Sequence, residues 1–187
     1  MAVPAPYQQL LQAFDTLPGI GPRAAERLVQ FVLAGEEGER LAQAISTAKR
    51  ELTLCQHCFR YALTDPCQQC EGAPPADHLL VVEDTRTQRL AEEQGHQQLF
   101  VLHGLLSPVA GIGPGQLNLP RLRQRVVAEG IQRLSLVLPP GVEADVTTQF
   151  IQDLLADLPV LVERSELHTQ RQPEQQAKQQ EPDHGAA

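Results

Sequence analysis

The chain has 187 residues, 42% of them hydrophobic, and a formal net charge of −8, which is apolar content enough for a packed core in one domain or about two or three small ones. No apolar run reaches the ~20 residues that span a bilayer, and residues 1–6 carry no basic segment followed by an apolar one, so neither a membrane span nor a secretory signal is expected and the reading is cytoplasmic. The acidic balance argues against broad nucleic-acid binding through a bulk basic field, but leaves room for a local basic site.

Residues 7–53 read as helical. Tyr7, Leu10, Leu11 and Phe14 recur at the spacing of one helix face. Leu17-Pro18-Gly19-Ile20-Gly21-Pro22 then breaks the pattern with strong turn signals. A second helix is expected from Pro22 through Ala25, Leu28, Val29 and Val32, and a third over roughly 36–52. Glycines in the hairpin let the backbone approach another surface closely, and the free N–H groups of the helix that follows make a ready phosphate site. Arg23 and Arg27, four residues apart, share one face of that helix. Gly19, Gly21, Arg23 and Arg27 are therefore the candidate contacts to a DNA backbone, gripped without reading bases. The competing reading is a plain interhelical turn.

All four cysteines fall within 54–71, as Cys55-x2-Cys58, eight residues, and Cys67-x2-Cys70. Two paired knuckles supply four thiolates to a tetrahedral site with no open position, which fits one structural Zn²⁺ per chain. Two disulfides, a redox dithiol and an iron–sulfur cluster are the alternatives. A reducing compartment and the paired spacing favour zinc. His57 and His78 are candidate substitute ligands.

From residue 79 strands alternate with helices. The runs 79–82, 99–102 and 134–138 are short and continuously apolar, as in strands buried on both faces. Leu158-Pro159-Val160-Leu161-Val162 is a weaker fourth, because Pro159 suits only a strand start or an edge. Helices are expected at about 85–95, 120–131 and 144–157, giving a mainly parallel sheet with right-handed crossovers. Glu83 and Asp84 close the first strand, and Glu143 and Asp145 follow the third. Acids at such strand ends face the usual ligand crevice. Glu83, Glu143 and Asp145 are the candidates for a weak Mg²⁺ site. Pro139-Pro140 stands where a metal-dependent enzyme would place an acid, so Mg²⁺ is not expected. The Gly/Pro-rich stretch 107–115 is either a partner-lining loop or a rigid connector. Arg121, Arg123, Arg125 and Arg133 cluster in sequence; the first three follow on a helix, where alternate residues do not share a face, so part of the set is expected to be solvated or paired with acids. Residues 165–187, with six glutamines and one leucine, are expected to be a disordered Gln-rich tail.

The order of these motifs resembles the bacterial recombination mediator RecR family. The shared features are Leu-Pro-Gly-Ile-Gly-Pro in a helical hairpin, four cysteines, and an α/β region opening Val81-Val82-Glu83. Gly104-Leu105-Leu106-Ser107-Pro108 with Gly111-Ile112-Gly113-Pro114 looks like that family's loop. The resemblance implies an α+β chain: a helix-hairpin-helix DNA-binding region at 1–53, a small four-cysteine zinc finger at 54–71 and a Toprim-like α/β domain at 78–164. It implies a non-enzymatic DNA-binding mediator of recombinational repair, nucleoid-associated in the cytoplasm. That mediator would act with RecO- and RecF-type partners to load recombinase on gapped DNA. It would be a dimer or a tetramer ring, away from membranes. The alternatives are a Mg²⁺-dependent nuclease- or primase-like enzyme and a protein-binding module without DNA contact. The sequence departs from the family at His103, at Ala110, at Ala144-Asp145-Val146-Thr147 and from Glu163 onward.

Overall fold

A computed structural model describes residues 3–167; the glutamine-rich stretch from residue 168 lies outside the described residues. The chain forms two compact units. One holds the chain up to Leu54 together with Tyr61–Thr64, the other Cys55–Arg60 together with the chain from Asp65.

The first unit is built from α1 (Ala5–Asp15), α2 (Pro22–Ala34), α3 (Glu37–Glu51) and a two-residue antiparallel pair, β1 (Thr53–Leu54) with β2 (Tyr61–Ala62). Proline occupies the first turn of both α1 and α2, where the missing N–H has no helical partner to lose. Between them Gly19 takes φ +77°, a conformation in which a side chain is strained. α3 carries Glu37 and Glu39 in its first turn and Lys49 and Arg50 in its last, signs that complement the helix dipole. Gly38 lets α3 close on α2, since a Cβ there would lie 2.1 Å from the Val32 carbonyl oxygen. The core is thin: Ala25 and Val29 are its buried apolar residues. Leu10, Phe14, Leu17, Val32, Leu33, Leu41 and Ile45 line an open groove of about 510 Å³.

The second unit continues with the short helix α4 (Gln68–Glu71), then β3 (His78–Val82), α5 (Thr85–Glu93), β4 (Leu99–Val101), α6 (Leu119–Glu129), β5 (Arg133–Val137), α7 (Val142–Leu154) and β6 (Leu161–Arg164). The strands lie in the order β4-β3-β5-β6 and every pair is parallel, as the alternating pattern predicts. Leu79, Val81, Phe100, Leu134 and Leu136 face one core with Leu122 and Val126 of α6, Ile151 of α7 and Leu155 just past its end. Leu80, Val82, Leu99, Val101 and Val137 face a smaller one with Ala91 of α5. Burial on both faces is why these strands carry no polar alternation.

The fourth strand is shifted from its predicted position. It begins at Leu161, after Pro159, and pairs with β5 alone. Pro159 has no N–H to give a ladder, and Leu158 packs into the main core instead. The 107–115 stretch is pinned at its base. Ser107 bridges Ile112, and the Gln116 side chain holds both the Gly113 amide and the Gly111 carbonyl.

Asp84 caps α5 by accepting from the Thr87 amide at 2.7 Å. Burial works against its charge, but the Thr87 bond prevails and holds the carboxyl below its ordinary value. Asp84→Ala is expected to cost about 1 kcal/mol in urea denaturation at pH 7. A depressed carboxyl stabilises above the unfolded-state pKa of about 4 and loses that contribution as pH falls through the folded value. The difference between wild type and Asp84→Ala should therefore shrink in acid; Asp84→Asn, which caps at any pH, should show no such trend.

Candidate functional site

The four cysteines converge. Their sulfur atoms all lie within 4.8 Å of one another, and Cys58 and Cys67 are 3.7 Å apart. A tetrahedron with Zn–S of about 2.3 Å has sulfur–sulfur edges of about 3.8 Å, so the spacing and the soft donors both suit Zn²⁺. Among the described residues this is the group of His, Cys, Asp or Glu side chains that converges on one point. The first knuckle turns back through the Phe59 amide bonded to the Cys55 carbonyl at 2.8 Å. Phe59 itself takes φ 60°. It is held there by its ring, 5.1 Å from that of Phe100, and by His103 Nε2 against its carbonyl. The second knuckle is the start of α4, with Cys67 at its N-cap.

The thiols do not share their protons evenly. A hydrogen bond from the Cys70 thiol, opposed by burial and helped by Arg60, lowers Cys58 to about 4. That same bond pushes Cys70 up, and burial raises Cys67. Metal binding draws off the protons that such thiols carry. Cys55, Cys58, Cys67 and Cys70 would hold the ion, whose chemistry is to cross-link the two knuckles.

His57 and His78 are occupied elsewhere. His57 pairs with Glu129 at 2.7 Å, and His78 shares a 2.9 Å hydrogen bond with Ser135 on β5. Two arginines without any local sequence signal support the cysteine segment. Arg60, 3% exposed, donates to Cys58 Sγ at 3.1 Å and to Glu92 at 2.6 Å. Buried Arg125 donates to the His57 carbonyl at 3.3 Å. A charged residue read from sequence is assigned to solvent by default; only the fold shows that these two are inside.

The acids at the sheet's C-terminal edge serve different ends. Glu83 is half-buried, and burial followed by the charges of Asp84 and Glu143 raises its pKa. Asp84 is the helix cap, and Asp145 pairs with Arg164 of β6 at 2.6 Å. Arg164 also holds the Leu138 and Pro139 carbonyls. The arginine cluster divides in the same way. Arg123 forms a two-pronged pair with Asp157 at 2.7 Å, Arg121 reaches Gln124, and Arg133 is exposed on β5.

In the helical unit, Gly21 is the N-cap of α2, and its carbonyl takes the amides of Ala24 and Ala25 at 2.9 and 3.0 Å. The Gly19, Gly21 and Arg23 amides have no hydrogen-bond partner among the described residues. The first turn of α2 contains no acid. Arg23 and Arg27 are exposed and make no ion pair with a described residue. A Cβ at Gly19 or Gly21 would meet no atom of the chain within 4 Å. The hairpin thus presents, among the described residues, unpartnered amides beside two arginines without an acidic partner, features that suit a phosphate.

Comparison with known proteins gives a consistent result. Residues 7–49 match the family described as RecR, helix-hairpin-helix. The chain is 38% identical over 161 residues to recombination protein RecR of Hydrogenovibrio crunogenus, covering 83% of this chain and 82% of that protein. It is 35% identical over 171 residues to recombination protein RecR of Staphylococcus saprophyticus, covering 88% and 85%.

Proposed function

The chain belongs to the RecR family, and from that premise we propose that it is a DNA-binding mediator of recombinational repair that performs no bond chemistry of its own. The observation that carries the proposal is the hairpin: unpartnered amides at Gly19, Gly21 and Arg23 next to Arg23 and Arg27 side chains free of acids among the described residues. Backbone phosphates would dock there by charge and amide bonding, which positions a protein without reading sequence. The net charge of −8 fits retention through a few local contacts and through assembly around the strand, rather than through a wide basic face.

The acids support a non-enzymatic reading. Asp84 is spent on capping α5 and Asp145 on Arg164, so two of the four acids at this edge are already engaged. Cys55, Cys58, Cys67 and Cys70 would hold one structural Zn²⁺ per chain. The apolar groove between Leu10, Phe14, Leu33 and Ile45 supports self-association, into a dimer or a tetrameric ring. RecO- and RecF-type proteins would be its partners at gapped DNA, where it would help recombinase to load.

The test is a salt titration of binding to gapped DNA by fluorescence anisotropy. Each phosphate contact contributes about 0.9 to the slope of log K against log salt on duplex. Arg23→Ala with Arg27→Ala should therefore flatten the slope by about 2. An unchanged slope removes the hairpin from the interface. Absence of binding at low salt in the wild type points instead to a protein-binding module.

A further inference from the structure

Arg60 lies two residues past Cys58 and takes no part in the DNA contacts proposed above. Its guanidinium is almost fully enclosed, with its side chain 4% exposed. A buried cation needs compensating acceptors, and Arg60 has two of different kinds. Nη1 donates to Glu92 Oε1 at 2.6 Å, and Nε donates to Cys58 Sγ at 3.1 Å. Glu92 is itself steadied by Gln88 Nε2 at 3.0 Å, one turn earlier on α5. The result is a continuous path from a cysteine sulfur through a fixed guanidinium to a helix of the sheet domain. The four sulfurs are not equivalent in this respect. Cys55 Sγ accepts the weaker, neutral Cys67 amide at 3.4 Å, whereas Cys58 receives a charged donor.

We propose that Arg60 is the positioning residue of the four-cysteine centre, fixing the Cys58 sulfur for metal binding and lowering its reactivity toward electrophiles. The inference rests on the zinc reading given above. Four thiolates around a divalent ion leave an excess of two negative charges, and a buried guanidinium beside one sulfur offsets part of it. Once Cys58 is a metal-bound thiolate, the N–H donor withdraws electron density from its lone pairs, so that the bound sulfur attacks electrophiles less readily than one without a charged donor. Glu92 keeps the planar fork in register, and lysine, with a single mobile ammonium, cannot reproduce both bonds.

The experiment compares wild type, Arg60→Met and Arg60→Lys in three measurements. These are zinc per chain by elemental analysis, the rate of zinc transfer to a chromogenic chelator, and alkylation by iodoacetamide resolved to each cysteine by mass spectrometry. Partners outside the ligand shell are worth about 10- to 100-fold in metal affinity. Arg60→Met should thus load zinc but release it about 10- to 100-fold faster, with Cys58 alkylated ahead of Cys55. Arg60→Lys should fall between the two. Equal release rates in wild type and Arg60→Met overturn the assignment. So does alkylation of all four cysteines in step, which marks a loss of fold rather than of one sulfur's donor. Should Arg60→Met purify unfolded, Glu92→Gln carries the test. It leaves the guanidinium in place but loosens it, so faster release with Cys58 alkylated first supports the role, and wild-type behaviour overturns it. Wild type purified without zinc overturns the zinc reading and this inference together, an outcome distinct from unequal loading among the variants.

Discussion

Removing the metal at neutral pH, or replacing Cys67 by serine, is expected to unfold the segment from Cys55 to Cys70 and to destabilise the parallel sheet beside it. Zinc binding to four-ligand sites contributes on the order of 10 kcal/mol to folding, comparable to the roughly 5–15 kcal/mol net stability of a whole domain. The reason the loss should spread lies in β4. Among the described residues no strand lies beside its outer edge. The Val101 amide is taken instead by the Cys58 carbonyl at 2.9 Å, and the Phe59 ring packs at a tilt against Phe100 in the main core. With the knuckles released, that edge would present unpaired backbone and an opened aromatic contact, the condition in which sheets associate edge to edge. Thermal melts followed by circular dichroism should show a midpoint lower by about 10 °C or more, with light scattering rising at the transition. Re-addition of Zn²⁺ before aggregation should restore the midpoint in stripped wild type but not in Cys67→Ser. A melting curve indifferent to the chelator would show that the cysteines staple nothing.

What the sequence made legible follows from which interactions are local. The three helices of the first unit and the apolar strands of the second were readable because periodicity records burial residue by residue. The cysteine centre was readable because a knuckle's two ligands are three positions apart and need no tertiary information. The edge strand β6 was displaced because Pro159 interrupts an apolar run, and the run alone does not say which of its residues joins the ladder. The two-residue strands β1 and β2 leave no period to detect. The least legible part was the fate of the charged residues. Glu83, Asp84, Glu143 and Asp145 form one acidic set on paper, yet Asp84 bonds to an amide three residues away and Asp145 to an arginine on β6. Arg123 and Arg125 belong to a cluster of which part was expected to be solvated or paired with acids, with nothing to say which member does what. In the fold one reaches Asp157 and the other turns inward. Long-range pairing decides such cases, and it is invisible until the sheet order is known.

Arg125 gives the second large effect. Its side chain is 4% exposed on α6 and makes four separate contacts. It donates to the Leu99 carbonyl and to Gln98 Oε1, each at 2.7 Å, to Glu129 at 2.9 Å, and to the His57 carbonyl at 3.3 Å. Two of these acceptors are backbone carbonyls, one on β4 and one in the first knuckle. The arginine therefore supplies, together with the Cys58 carbonyl, the hydrogen bonds that a neighbouring strand would have given β4. Cutting one partner out of a buried charged network costs about 3–5 kcal/mol, because the acceptors left behind are dry and unpaired. Arg125→Ala should show that loss in urea denaturation. Arg125→Met separates the causes: it fills much of the volume but carries no donor. If the carbonyls matter most, Arg125→Met should stay within about 1 kcal/mol of Arg125→Ala; if packing dominates, it should regain most of the stability. Glu129 is 25% exposed and also held by His57, so Glu129→Gln alone should cost less than about 1 kcal/mol. A double-mutant cycle between Arg125 and Glu129 should then leave most of the arginine's contribution uncoupled from that carboxylate. A coupling equal to the whole effect would make Arg125 an ion-pair residue, and would take from it the task of closing the edge of the sheet.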